Sequence, residues 1–125
     1  MDELRDLLAR LAPRRRPGEY VVVDASDFVD APALATIVED EGVCAVLPLA
    51  DALDAGLTYD FVMAWITLGV ESSLGAVGLT AAVATALAER GISCNVLAGY
   101  HHDHLLVPSD RADEALAALE ALASG

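Results

Sequence analysis

The stretch that decides the fold covers residues 62–108 and reads VMAWITLGVESSLGAVGLTAAVATALAERGISCNVLAGYHHDHLLVP. Its pattern predicts an apolar strand, a turn with serine and glycine, a long helix, a second strand, a histidine-rich hairpin and a third strand. A unit of this order can bring the start of its helix and its hairpin to one end of a sheet. Backbone N–H groups at a helix start favour a carboxylate or phosphate, and nearby imidazoles with an aspartate can hold the rest of a small zwitterion. We therefore expect a small-molecule pocket rather than a catalytic centre.

The composition indicates a globular protein without a nucleic-acid or membrane partner. The chain has 125 residues, 55% of them hydrophobic and 22% charged, which suits one domain or two intertwined half-size modules. Seven basic residues against twenty acidic ones give a net charge of −13. Nucleic acids and anionic membranes require a basic face, and the basic cluster at residues 14–16 is interpreted as a solvated helix terminus.

Location and redox state follow from what the sequence contains. The longest uncharged segment, residues 72–88, is shorter than the roughly 20 apolar residues that span a bilayer. Residues 1–5 lack the basic start and apolar run of a signal peptide, so we expect a cytoplasmic protein. Cys44 and Cys94 are isolated cysteines in apolar segments, so we expect both to be reduced core residues. No cofactor is predicted.

Periodicity predicts the elements of the first half. Leu4, Leu7, Leu8 and Leu11 have helical spacing before Pro13. Residues 19–24 and 43–47 favour strands, and residues 25–42 favour an irregular segment with a helical turn near residues 33–38. A short helix is expected over residues 49–55, with Gly56 after its end.

Residues 61–70 predict the longest strand, and both of its faces are apolar. One face carries five aliphatic residues and the other carries Phe61, Met63 and Trp65. Because helices cover one face of a two-layer fold, the aromatic face needs another sheet or another subunit. This argument predicts a homodimer.

A long helix is expected from about Leu74 to Arg90, with Ser72 and Ser73 at its N-terminus. Its predicted buried stripe contains Val77, Ala81, Val83, Ala84, Leu87 and Ala88. Residues 92–99 and 105–107 follow as paired strands. Ser109 precedes a last helix whose predicted buried residues are Ala112, Ala115, Leu116, Leu119 and Leu122.

The elements repeat at an offset of about 60 residues, because both halves read helix, strand, strand, helix. The repeat predicts an α+β, ferredoxin-like two-layer sandwich made of two interlocked βαββαβ modules with an antiparallel sheet. Residues 1–60 form the N-terminal half and residues 61–125 the C-terminal half. The halves are best treated as one compact unit.

These motifs resemble the ACT-domain superfamily, and more narrowly small bacterial ACT-like proteins related to the arginine-sensing ACT domains. The resemblance is dense in the second half and looser in the first. It is carried by Trp65-Ile66-Thr67-Leu68, Ser72-Ser73-Leu74, residues 76–83, residues 91–96, residues 98–104 and Leu106-Val107-Pro108.

The resemblance implies a regulatory module that binds an amino acid, usually at an interface between paired domains. In such domains the ligand contacts the turn and helix start after the first strand, together with the neighbouring strands. Carried onto this chain, the implied ligand-binding residues are Ser72, Ser73, Leu74, Val77, Gly78 and Leu79, with Tyr100, His101, His102, Asp103 and His104 opposite them.

Two other readings remain open. Alternate residues of a strand share a face, so His102 and His104 could bind one metal ion with Cys94 as third ligand, in a small metal-dependent enzyme. The main interpretation includes no metal site. The sequence contains no known catalytic motif, so no catalytic residue is assigned. The second alternative is a purely structural dimerisation module.

Overall fold

The computed structural model describes residues 3–25 and 32–125. Within these residues the chain forms four α-helices and six β-strands. The helices are α1 (Glu3–Ala9), α2 (Leu49–Asp54), α3 (Leu79–Ala88) and α4 (Ala112–Ser124), the last preceded by a short 3-10 turn (Ser109–Arg111). The strands are β1 (Pro13–Asp24), β2 (Ala35–Glu39), β3 (Gly42–Pro48), β4 (Met63–Leu68), β5 (Asn95–Ala98) and β6 (Asp103–Pro108). The predicted α+β, ferredoxin-like fold with an antiparallel sheet is confirmed.

The chain divides into two compact units, one of which is discontinuous. The larger unit combines the residues up to Arg16 with Ala64–Gly125, and the smaller unit is Pro17–Met63. The division into halves at residue 60 stays a prediction from the repeat.

In the larger unit, three helices bury one face of the strands in the order β4-β6-β5. β5 and β6 pair antiparallel, with Leu97 opposite His104 and Ala98 opposite Asp103. Alternate strand residues turn toward the helices, so Leu105 and Val107 are buried on the same side as Ile66. The fully buried large side chains of this core are Leu11, Ile66, Leu68, Val83, Leu87, Leu105, Val107 and Leu119.

In the smaller unit, β3 lies between β2 and β1 and pairs antiparallel with both. The register sets Asp24 and Ile37 opposite Cys44. The core of this unit contains Val21, Val23, Ala25, Ala45, Leu47 and Ala52. The predicted strand at residues 43–47 and the short helix after it are confirmed, and Gly56 has the left-handed φ of +67° expected after a helix end.

Two expectations for the first half are wrong. Arg14, Arg15 and Arg16 lie on β1 and not at a helix terminus, because α1 ends at Ala9 and β1 begins at Pro13. Residues 35–39 form β2 and not a helical turn, because Thr36, Ile37 and Val38 are β-branched and pair with β3. Residues 26–31 of the predicted irregular segment lie outside the described residues.

The start of α3 is also corrected. The helix begins at Leu79 and not at Leu74, because Gly78 has a left-handed φ of +98° as the N-cap residue. The buried stripe is Leu79, Val83 and Leu87, at a spacing of four. Val77, Ala81 and Ala88, which were expected in the stripe, are exposed.

The sequence argument for a homodimer assumed that Trp65 needs a second subunit to cover it, and the structure does not support this assumption. Trp65 is only 5% exposed in the single chain, because the larger unit covers it with its own side chains. β4 is also shorter than predicted, and Phe61 before it is 75% exposed. In the last helix, Ala112, Ala115 and Leu119 are buried as predicted, Leu116 and Leu122 are only partly buried, and Ala118 is an additional buried residue.

Candidate ligand-binding site

The turn between β4 and α3 forms one wall of the candidate site. It folds back at Ser73, where the backbone N–H of Ala76 donates to the carbonyl oxygen of Ser73 at 3.0 Å. Ser72 is half-buried, whereas the side chain of Leu74 is 72% exposed. The serines therefore line a turn ahead of the helix and do not cap α3.

A small pocket of about 100 Å³ lies between this turn, the first turn of α3 and the β5–β6 hairpin. Asp103 reaches it because Asp103 lies on the same face of β6 as the buried Leu105 and Val107, the face on which the helices pack. This inner pocket is lined by Ser72, Ser73, Leu74, Ala76, Leu79, Thr80, Ala98 and Asp103.

The inner pocket combines groups that favour opposite charges. Leu79 and Thr80 begin α3, and the backbone N–H groups of a first helical turn favour an anion. Gly78, the N-cap residue, has no side chain with which to cap these groups. The carboxylate of Asp103 on the hairpin side favours a cation. An anionic and a cationic group of one small molecule can therefore both find a partner here.

An open concavity of about 540 Å³ shares Ser72, Ser73 and Leu74 with the inner pocket. Glu71, Tyr100 and His101 complete its lining. His101 Nδ1 lies 3.0 Å from Glu71 Oε1, and the ring of His101 meets Tyr100 edge to face at 5.0 Å between centroids. Tyr100 is 83% exposed, so this outer concavity presents an aromatic ring and a hydrogen-bonded histidine–glutamate pair to solvent.

Seven of the eleven predicted ligand residues line one of these two concavities, and four do not. Val77 is 88% exposed, and Gly78 is the N-cap of α3. His102 Nδ1 lies 3.4 Å from the carbonyl oxygen of Val70. The fourth, His104, lies on the opposite face of the sheet from Asp103, beside Trp65.

His104 is held in a polar network on the far face of the sheet. Its Nδ1 lies 3.2 Å from Trp65 Nε1 and 3.0 Å from Thr67 Oγ1. Burial lowers the pKa of His104 from its ordinary value, the neighbouring His102 and Arg16 lower it further, and Asp103 acts in the opposite direction. The neutral form of this imidazole is therefore favoured at pH 7.

The described residues give no support for the metal alternative. Among residues 3–25 and 32–125, no three histidine, cysteine, aspartate or glutamate side chains come together as metal ligands. Cys94 packs against the core of the larger unit, and burial raises the pKa of its thiol. Burial and the carboxylate of Glu39 also raise the pKa of Cys44.

The sequence did not indicate Glu71, Ala76, Thr80 or Ala98, which also line the two concavities. Thr80 could have been found if the helix start had been set at Gly78, since glycine is favoured where a left-handed φ is required. Ala98 follows from the hairpin register, in which it pairs with Asp103.

Comparisons with known families define the class of protein. One ACT-domain family model matches residues 1–64, and a second matches residues 61–121. The chain belongs to the ACT-domain family, whose members are regulatory modules that bind small-molecule ligands. Among residues 3–25 and 32–125, none of the helices has the length and hydropathy of a membrane-spanning segment.

Solved structures support the same fold. The chain is 45% identical to a Vibrio cholerae protein of unknown function, described as a possible transport protein, with a TM-score of 0.83 over 94% of this chain and 93% of that one. An Agrobacterium tumefaciens protein is 18% identical, with a TM-score of 0.73 over 89% and 87% of the two chains.

The regulatory subunit of aspartate kinase from Thermus thermophilus, in its ligand-free form, is 9% identical. Its TM-score is 0.66, over 90% of this chain and 97% of that one, and at this identity the likeness concerns the fold alone. A search of curated proteins finds no match.

Proposed function

We propose that this protein is a non-enzymatic regulatory module that binds a free amino acid in the inner pocket. The observation that carries the proposal is the pairing of the first turn of α3 with Asp103 in one pocket of about 100 Å³. Drug-sized ligands usually occupy pockets of roughly 300–1,000 Å³, so the inner pocket suits only a small polar group. The carboxylate and ammonium of an amino acid are such a group.

In the proposed complex, the ligand carboxylate accepts hydrogen bonds from backbone N–H groups at Leu79 and Thr80. The hydroxyls of Ser72 and Thr80 offer further donors, and Asp103 accepts from the ammonium. The proposed carboxylate site is therefore at Leu79 and Thr80, where α3 begins.

The ligand side chain would extend into the outer concavity, which shares Ser72, Ser73 and Leu74 with the inner pocket. There it would meet Tyr100 and the Glu71–His101 pair. The exposed Leu74 and Tyr100 support the further proposal that a second copy of the chain covers the ligand, because burial of these two side chains is favourable.

Regulation in this proposal is a population shift. A ligand that binds one arrangement of the protein more tightly than another raises the population of that arrangement by its difference in affinity. A cytoplasmic location remains a prediction from the sequence.

Thermal unfolding in the presence of ligands tests the proposal directly. The twenty amino acids, common nucleotides and divalent metals are added one at a time near millimolar concentration. A ligand at 100 times its Kd that binds only the folded state adds about 2.7 kcal/mol to the free energy of unfolding, which raises Tm by several degrees. We expect this shift with one or a few amino acids.

Two variants tie the shift to the pocket. Asp103→Asn removes the negative charge that is proposed to bind the ammonium group and should abolish most of the shift. Asp54→Asn makes the same change of charge at an exposed position of α2 and should leave it intact. An equal shift in Asp103→Asn and wild type would contradict the assignment of the pocket.

The other outcomes favour the alternatives. A shift with zinc alone would favour the metal-dependent enzyme, although the described residues lack a ligand cluster for it. No shift with any compound would favour a structural dimerisation module.

A further inference from the structure

The hydrogen bond between Trp65 and His104 requires a neutral imidazole. Trp65 Nε1 carries a proton and can only donate, and it lies 3.2 Å from His104 Nδ1. Nδ1 must therefore accept, which leaves the ring proton on Nε2. A proton added to Nδ1 would set two N–H donors against each other. Thr67 Oγ1, 3.1 Å from the indole and 3.0 Å from the imidazole, has two acceptor lone pairs and can accept from both groups, so protonation breaks only the direct bond between Trp65 and His104.

The charges around His104 add to this effect. The guanidinium of Arg16 on β1 lies over the ring of Trp65, 5.3 Å from its centroid, and disfavours a second cation beside it. His102 on the same hairpin acts in the same direction, and Asp103 opposes both. From β4 the ring meets Trp65 and Thr67, which do not titrate near neutral pH, and α4 packs on the other face of the sheet through the core.

The imidazole also lies close to Gly99 in the turn of the β5–β6 hairpin. The N–H of Gly99 donates to the carbonyl oxygen of His102 at 3.0 Å and closes the turn. A Cβ placed on Gly99 would overlap that oxygen and would lie 3.1 Å from His104 Nε2. The ring of His104 thus lies between the indole of Trp65 and the closed turn, and the same hairpin carries Tyr100, His101 and Asp103 of the candidate site.

We propose that the Trp65–His104 hydrogen bond is a proton-sensitive link that adds to the backbone pairing of β4 with β6 and steadies the turn of the β5–β6 hairpin. A proton from solvent that binds Nδ1 breaks the link and loosens the hairpin. Since the hairpin carries Asp103, protons would compete with the ligand, and this last consequence rests on the proposed function.

The single tryptophan of the chain makes the link observable without a ligand. Fluorescence of the full-length protein is titrated from pH 8 to pH 4.5. We expect one transition assigned to Trp65, with a midpoint below the ordinary histidine value of 6.5. His104→Gln should abolish it, because an amide oxygen can accept from the indole but does not titrate. His101→Gln should keep it, since His101 pairs with Glu71 and not with Trp65.

Near-UV circular dichroism at pH 7.5 verifies that His104→Gln is folded, and His104→Phe provides a second non-titrating variant if it is not. A transition that persists in these variants would overturn the proposal. A midpoint at or above 6.5 would overturn it as well.

Hydrogen exchange of the Gly99 amide tests the loosened hairpin. After correction for the intrinsic rate, protection at Gly99 should fall at least several-fold between pH 7.5 and pH 5 in wild type, and stay constant in His104→Gln. Equal loss in both proteins would contradict the link. Both measurements use the protein without ligand, so they test the link even if no amino acid binds. A ligand whose affinity is unchanged at pH 5 would refute only the proposed competition between protons and ligand.

Discussion

The side chain of Leu4 lies against the backbone of Gly78, at the residue where α3 begins. A Cβ on Gly78 would lie 3.1 Å from Leu4 Cδ2, and Gly78 has a φ of +98°. Leu4 belongs to α1, so this contact ties the N-terminal helix to the helix start that forms one side of the inner pocket. Both the close approach and the left-handed backbone explain why glycine occupies this position.

Replacement of Gly78 by alanine should therefore destabilise the protein. A left-handed φ costs an L-residue about 1–2 kcal/mol, and the contact with Leu4 adds to this. Chemical denaturation measures the loss. Gly75→Ala is the matched control, because a Cβ there meets only Ser73 Oγ at 3.9 Å and the backbone is not left-handed. Equal stabilities of the two variants would show that the start of α3 lies elsewhere.

The corrected buried stripe of α3 predicts which apolar residues in and just before this helix contribute to the free energy of unfolding. Leu87→Ala removes a fully buried side chain and should cost about 2–5 kcal/mol of unfolding free energy. Val77→Ala changes a side chain that is 88% exposed and should alter stability by less than about 0.5 kcal/mol. Urea denaturation of both variants gives the comparison. A large loss in Val77→Ala would restore the stripe expected from the sequence.

Gly99 should be intolerant of a side chain for a steric reason. An added Cβ overlaps the carbonyl oxygen of His102, and the overpacking should cost about 1–3 kcal/mol and open the hairpin turn. Gly56→Ala separates this effect from backbone strain, since Gly56 has a φ of +67° but no atom within 4 Å of a new Cβ. Exchange of hairpin amides should accelerate in Gly99→Ala alone. Intact protection there would contradict the predicted overlap.

Stability should depend on pH through His104. Its pKa is lower in the folded protein than in the unfolded chain, so the unfolded chain binds more protons between these two values. The free energy of unfolding is therefore unaffected by this group well above pH 6.5 and falls as the pH decreases from there toward the folded pKa. The difference between wild type and His104→Gln, measured by urea denaturation from pH 8 to pH 5, isolates the contribution. If the difference in the free energy of unfolding between wild type and His104→Gln does not change with pH, His104 makes no pH-dependent contribution to stability.

The two thiols should react slowly. Burial raises the pKa of Cys94, and burial together with the Glu39 carboxylate raises that of Cys44, so at pH 7 less of each thiol is thiolate than in a free cysteine. Alkylation by iodoacetamide should be slower in the native protein than in urea. Single Cys44→Ser and Cys94→Ser variants assign the rates, and native rates equal to those in urea would contradict the prediction.

Local chemistry was sufficient for much of the fold. β-branched runs and helical spacing predicted β3, β4, the β5–β6 pair and the last helix, because these segments bury one continuous apolar face whatever they pack against. The association of Asp103 with the serine turn also followed from the order of elements, since a strand–helix–hairpin unit returns to the same end of its sheet.

Other features depend on partners that are distant in sequence. Arg16 and Trp65 are adjacent only after β1 and β4 have folded, which is why residues 14–16 resembled a solvated helix end. Helix propensity alone could not locate the first turn of α3. The helix begins after Gly78 because this residue has a left-handed φ, and Gly78 lies against Leu4, which is distant in sequence.

The sequence by itself therefore determined the class of fold, the acidic surface and the segments that meet at the candidate site, because these depend on composition and periodicity. Only the tertiary structure decided where α3 begins and what each residue of the histidine-rich hairpin does. His104 is 39 residues from Trp65 in the chain, and its neutral state follows from burial and from the donor and charges that the fold places around it. Asp103 and His104 lie on opposite faces of β6, and only the packing on each face separates a ligand contact from a half-buried hydrogen-bond acceptor.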